Sequence, residues 1–252
     1  MGMDAQSKSA AAGLPTQRPL VTVDVVIFMV SEERLHVLLV NRPEGAGEPY
    51  PGMLALPGGF VDVARDQDLE ACAHRKLQEK TGVKTPYLEQ VGGWGGMERD
   101  PRGWSATHVY FALLPPQPLV AGANARDAGW YPVEGKRVRH KLAFDHARLL
   151  EAAIARLRSK VEYTSLPAFL LPEEFTLSEL QRMYEVVLER PVEKSAFRTR
   201  VFSAGLVKPL DKMRGGNNRP AQLYKLAHAR KPVFFPRTFS PRKNEADAEG
   251  QE

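Results

Sequence analysis

The segment from Leu56 to Val83, LPGGFVDVARDQDLEACAHRKLQEKTGV, joins a glycine pair to a helix with a defined end. Within Asp68 to Lys80, apolar Leu69, Cys72, Ala73 and Leu77 recur at helical spacing, so this helix needs another layer to cover them. Gly82 suits its C-terminal cap, and Pro86 prevents continuation. Residues three and four apart share a helix face, so Lys76, Glu79 and Lys80 point the same way. Three carboxylates there would make a hard oxygen cage for Mg²⁺ or Mn²⁺. Two ammoniums and one carboxylate instead repel a metal ion, and lysine serves as a point-charge partner for phosphate. The plain alternative is a solvated helix face.

At 252 residues the chain is long enough for one large domain or two small ones, and 43% hydrophobic content supports a core. One cysteine excludes an intramolecular disulfide and suits a reducing cytosol; its helical neighbours give Cys72 a packing role. The polar start is not a secretory signal, and no run approaches the roughly 18 apolar residues of a membrane helix. A cytoplasmic location is expected. From Pro191 to Lys231, ten basic side chains face two carboxylates, giving +8 in a chain of net charge +5 and leaving about −3 for the rest. Such clustering points to a polyanion partner.

Residues 1–18 are expected to be disordered. Val21 to Val30 and Leu35 to Val40 read as buried strands, joined through Ser31-Glu32-Glu33 as a hairpin. Strands are expected at Val91 to Gly96 and His108 to Leu114, around the loop Glu98 to Trp104, and at Gly129 to Val133. Phe144 to Tyr163 forms a helix with Ala147, Leu150, Ile154 and Leu157 on one side. Thr164 to Pro172 reads as a linker. A second unit then opens with the capping box Thr176-x-x-Glu179, a helix to about Leu188 and a helix from Lys194 to Ala204. Two strands, Leu206 to Leu210 and Gln222 to Leu226, flank the basic turn KMRGGNNRP. Helix, turn, helix and basic hairpin is the order of a winged helix. The tail 236–252 is expected to be disordered.

Leu56 to Val83 resembles a Nudix box, G-x5-E-x7-R-E-U-x-E-E-x-G-U with U apolar. Gly59, Arg75, Leu77, Glu79, Gly82 and Val83 match. Lys76 and Lys80 replace two of the three core glutamates, and the stretch before Arg75 is two residues longer than the pattern. The order NRPEG, LPGGFVD, DPRGW, WYPV and LAFDHARLLEAAIARLRSKVEYT, then FTLSELQRMYEVVLERPVEKSAFRTRVFSAGLV and GGNNRPAQLY, resembles the Nudix-related transcriptional regulators of NAD metabolism. The resemblance implies an α/β/α Nudix-like sandwich with a mixed sheet over 19–163 and a winged helix-turn-helix over 164–235. It implies a homodimer on a palindromic double-stranded operator, commonly a repressor of NAD synthesis or salvage genes. It implies an adenine-nucleotide effector, ADP-ribose in several members, with NAD and ATP left open by the sequence; the lysines of the box in turn point to no required metal or cofactor.

With Phe197, Val201 and Ala204 inward, Lys194, Ser195, Arg198 and Thr199 face outward. Arg198 is the candidate for guanine O6/N7, and Lys194 and Ser195 for phosphate. Lys212, Arg214, Asn217, Asn218 and Arg219 belong on or beside the hairpin tip, near a DNA backbone. For the effector, Arg42, Arg99 and Arg102 join Lys76, Glu79 and Lys80 around a diphosphate, while Trp94 and Trp104 are candidates to stack an adenine. Asp145 and His146 read as structural, near a helix start. Two other functions compete. One is a metal-dependent Nudix hydrolase of substrates such as ADP-ribose, using Glu79, Glu70 and nearby aspartates. The other is a nucleic-acid-binding protein that needs no small ligand.

Overall fold

Strand β1, Leu20–Ser31, organises the sensor half because its side chains alternate between two apolar layers. Val23, Val25 and Ile27 face one cluster, with Cys72, Ala73 and Leu77 of helix α1 (Leu69–Thr81). Val26, Phe28 and Val30 face the other, with Leu150, Ile154 and Leu157 of helix α2 (His146–Val161). The result is the expected α/β/α sandwich. The computed structural model describes residues 18–82, 85, 87–117, 128–215, 220–228 and 231–235, without the side chains of Lys80 and Thr81. The expected disordered ends lie outside these residues, apart from Arg18.

The sheet is mixed. β1 runs antiparallel to β2 (Arg34–Asn41) and parallel to β6 (Ser105–Leu113), from Leu20 opposite Ser105 to Phe28 opposite Leu113. β3 (Leu54–Ala55) pairs with β2, and β5 (Leu88–Gly96) with β6. β4 (Gly58–Phe60) pairs with β1, and β7 (Ala128–Pro132) with β2. The β1–β2 turn places Glu32 and Glu33 at φ 49° and 57°, the left-handed pair that a two-residue hairpin loop requires. Asp68 caps α1 by accepting from the Ala71 amide at 2.7 Å, and Gly82 (φ 69°) ends it. Burial pushes the Cys72 thiol up to about 11, as fits a core cysteine. The buried face of α2 begins at His146, followed by Leu149 and Leu150; Ala147 points to solvent, against expectation.

The second unit contains β8 (Phe175–Thr176), α3 (Leu177–Leu188), α4 (Lys194–Ser203), β9 (Val207–Arg214) and β10 (Ala221–Leu226). The capping box closes as expected: the Glu179 amide donates to Thr176 Oγ1 at 3.2 Å, and the Thr176 amide donates to Glu179 at 2.7 Å. β10 pairs with both β8 and β9.

The expected linker is not a linker. Leu166–Leu170 is a 3₁₀ helix with every residue buried, and Phe169 stacks on Tyr87 at 5.3 Å. Pro167 sits in the first turn, where its missing N–H costs nothing, and the apolar LPAFL side chains bury the segment. Thr164 bridges Phe234, and the Phe235 amide donates to the Tyr163 carbonyl at 2.8 Å. One hydrophobic cluster therefore runs from β1 and α2 through α3 to Phe197 and Val201 of α4. Arg158 of α2 donates to the Val187 carbonyl at 2.9 Å, and Arg182 of α3 donates to Glu33 at 3.1 Å. Both contacts tie the winged unit to the sensor. Among the described residues no helix is long and apolar enough to cross a membrane.

Candidate effector cavity and nucleic-acid interface

A cavity of about 500 Å³ opens where β1, β3 and β4 meet the loops after β2 and β5 and the start of α2. Its size suits a small ligand. Arg42, Arg99 and Arg102 all line it. Arg42 is held by the Pro49 carbonyl at 2.7 Å and Glu48 at 2.8 Å, and lies 4.8 Å from the Phe144 ring centre. Arg99 grips Asp145 through two bonds of 2.9 Å and lies 3.6 Å from Asp24. Arg102 grips Asp100 at 2.9 and 2.7 Å and sits 5.0 Å from the Phe60 ring centre. Each guanidinium is thus fixed by a carboxylate before any ligand arrives. Among the described residues, the Nη1 atoms of Arg42 and Arg102 make no hydrogen bond and remain available to an anion.

Glycines 58 and 59 make the floor. A side chain at Gly58 would put its Cβ 2.0 Å from Asp24 Oδ1, and one at Gly59 would meet Lys76 Nζ at 3.0 Å. Lys76 does not itself line the cavity; its ammonium lies beside Gly59, which does.

The two carboxylates of the box helix differ: Glu70 meets His74 at 3.9 Å, while Glu79 stands among cations. Glu79 is approached by Arg75 at 3.1 Å, Lys76 at 3.8 Å and Arg65 at 3.9 Å. Asp66 is taken by Arg75 through two contacts of 2.6 Å, and that guanidinium holds its carboxyl well below the usual carboxylate range. Among the described residues no group of three His, Cys, Asp or Glu is placed to hold a metal ion.

Other expected effector residues lie elsewhere. Trp94 packs over Gly92 of its own strand, where a Cβ would stand 3.3 Å away, and joins the core rather than the cavity. Trp104, which is exposed, lies over Gly95 of β5. The rings that do line the cavity are Phe60 and Phe144, which sequence reasoning missed. Glu79 sits among cations on the helix, and the Lys80 side chain lies outside the described residues. Asp24 and His146 were also missed as cavity residues.

On the winged unit, Lys194, Ser195, Arg198 and Thr199 form an exposed face of α4, while Phe197 and Val201 are buried. Glu193 caps α4 by accepting from the amides of Ser195 and Ala196, which also holds its carboxyl below its ordinary value. Arg200 turns the other way, donating to the Glu162 carbonyl at 3.1 Å with its guanidinium 5.5 Å from the Phe235 ring centre. Lys212 and Arg214 lie on β9, whose last residue is Arg214. Lys212 pairs with Glu174 at 2.6 Å, and Arg214 pairs with Glu179. Asn217, Asn218 and Arg219 fall outside the described residues.

The NUDIX domain family matches residues 19–153, and the NrtR DNA-binding winged helix domain matches residues 167–226. The "ADPR responsive transcriptional repressor NtrR" of Acinetobacter baylyi is 46% identical over 229 residues, covering 90% of this chain and 90% of the relative. The chain belongs to the NrtR family. The crystal structure of Shewanella oneidensis NrtR complexed with a 27mer DNA superposes with a TM-score of 0.75 at 42% identity, covering 82% of this chain and 93% of that one. The NUDIX domain of the same NrtR complexed with ADP ribose is 39% identical, with a TM-score of 0.51, covering 61% of this chain and 99% of that one. In NrtR terms, the cavity belongs to the Nudix part of the fold and α4 to the winged helix part.

Proposed function

We propose that this chain is a DNA-binding transcriptional repressor whose Nudix half senses an adenine nucleotide of the ADP-ribose type. The observation that carries this reading is the 46% identity to the ADPR responsive repressor, because the match runs through both halves of the chain. The NrtR structures with DNA and with ADP ribose agree with a reader and a sensor on one polypeptide. The genes it controls are those of NAD metabolism, and it works in the cytoplasm.

The diphosphate of the effector lies against the free Nη1 atoms of Arg42 and Arg102, with Arg99 and Lys76 adding positive charge. Phe60 or Phe144 offers a face to the adenine. No hydrolysis follows, because Lys76 and Lys80 stand where two glutamates would hold the metal, and Glu79 is ringed by Arg65, Arg75 and Lys76. Two copies of the chain present two α4 helices to a palindromic operator about one helical turn apart. Arg198 reads a base, while Lys194, Ser195, Thr199 and the wing cations, Arg219 and its neighbours included, hold the phosphates. Effector binding shifts the spacing of the two helices through the shared core, provided that it favours one arrangement over the other. A cavity of about 530 Å³ between the end of α2, α3 and α4 leaves room for such a shift.

The test is binding of ADP-ribose, NAD and ATP to the full chain in excess EDTA, with operator release read by fluorescence anisotropy. Binding that survives EDTA and falls in the Lys76→Glu/Lys80→Glu variant supports the reading. Binding that requires Mg²⁺, with turnover of ADP-ribose, overturns it in favour of a hydrolase.

A further inference from the structure

His146 Nδ1 lies 2.9 Å from the Leu56 amide nitrogen. The amide is a donor, so Nδ1 must be the acceptor, and the neutral ring carries its proton on Nε2. A protonated imidazolium could not accept this bond. Burial holds the His146 pKa below its ordinary value and so favours the neutral ring. The tautomer is therefore fixed by the backbone, with an N–H directed away from β3 and toward Asp24.

His146 Nε2 and Asp24 Oδ1 are 3.8 Å apart, too far for a hydrogen bond. Both residues line the cavity, and both are about 5% exposed. The other Asp24 oxygen, Oδ2, accepts from Thr107 Oγ1 at 2.7 Å. Among the described residues Oδ1 accepts no hydrogen bond. It is seated against Gly58, where any side chain would collide with it.

We propose that His146 and Asp24 form a hydroxyl-recognition pair, in which Nε2–H donates to a sugar hydroxyl of the effector and that hydroxyl donates to Asp24 Oδ1. An oxygen about 2.8 Å from each atom spans such a gap with ordinary bond lengths. A hydroxyl is both donor and acceptor, as this pair demands. A fully ionised phosphate oxygen has no proton for Asp24 and is repelled by its charge. An ammonium has no lone pair for His146. The pair thus orients the ligand, with a ribose over Gly58 and the phosphates toward Arg42 and Arg102. Removing the hydroxyl leaves a buried carboxylate and an N–H without their partner, which makes the pair a filter against deoxy compounds. This inference rests on the reading that the cavity takes a nucleotide of the ADP-ribose type.

The experiment uses the full chain and isothermal titration with ADP-ribose, with analogues lacking the 2′-hydroxyl of the adenosine ribose or one hydroxyl of the terminal ribose, and with ADP. One deoxy analogue should bind about 10- to 100-fold more weakly than ADP-ribose, and its identity tells which ribose is held. In Asp24→Asn that ratio should collapse toward one. Nitrogen-15 shifts of the His146 ring, read without any substitution, should show protonation at Nε2, and the Nε2 proton should move when ADP-ribose is added. Equal binding of every deoxy analogue, or a ring protonated at Nδ1, overturns the subsite while leaving the nucleotide reading intact. A chain that binds no ADP-ribose overturns both.

Discussion

Arg214 of β9 donates to Glu179, the residue whose other carboxylate oxygen closes the capping box at the start of α3. One side chain thus serves both helix and wing. Glu179→Gln keeps a residue able to close the box but removes the charge that holds Arg214. It should leave thermal stability nearly unchanged and strengthen operator binding, with a steeper salt dependence, because one more cation is free for phosphate. Glu179→Ala should also cost about 1 kcal/mol of stability through loss of the cap. Calorimetry and anisotropy across a salt series separate the two effects. Weaker operator binding by Glu179→Gln would show that the wing has to be held in this position.

Arg198 and Lys212 should separate reading from holding. Arg198→Ala should cost about 1–3 kcal/mol of operator binding and relax preference at one base position. Lys212→Ala should weaken all sequences about equally and lower the salt slope by about one. A systematic set of single-base operator variants checks both. If both variants bind like wild type, the contact surface lies elsewhere.

Arg99 should matter twice. Its side chain is 10% exposed and serves Asp145, Asp24 and Ser105. Arg99→Met leaves two poorly solvated carboxylates without their cation and should cost about 3 kcal/mol of stability. Arg99→Met/Asp145→Leu should recover part of that loss in denaturant titration without recovering ADP-ribose affinity. Full recovery of affinity would remove Arg99 from the ligand site.

The Asp66–Arg75 pair sets an acid limit. The Asp66 carboxyl is held below its unfolded value, near 4, so its contribution is complete above that pH and is lost as pH falls toward the folded value. Asp66→Asn should lower stability at pH 7 and flatten its decline between pH 5 and pH 3. Parallel pH profiles of wild type and variant in urea would contradict this.

The sequence made the sheet and helices legible where burial is periodic. Val23, Val25 and Ile27 alternate with Val26 and Phe28, and the α1 cap is written in Asp68 and Gly82. It also marked the three arginines that meet in one cavity, because each sits in a loop beside turn residues. It misled over Trp94, since a tryptophan between glycines looks free when the glycines are in fact the space it fills. Asp24 was hidden because it lies inside an apolar strand, and His146 because its partner is a backbone amide 90 residues away. The buried 3₁₀ helix was hidden by Pro167, which reads as a chain breaker in sequence but stands in the first turn, where proline is at home.

The pairing of Thr164 with Phe234 has a consequence for how the molecule is made. Chains emerge from the ribosome amino end first, so the sensor can fold while the winged unit is still being synthesised. The clasp across the base of that unit needs Val233 and Phe235, which are translated after both wing strands. A product truncated a few residues earlier would keep its ligand cavity but lose one of the fastenings of the DNA reader. A chain ending there would hold its reader through the shared core and the Arg158 and Arg182 contacts, without the Thr164–Phe234 pairing.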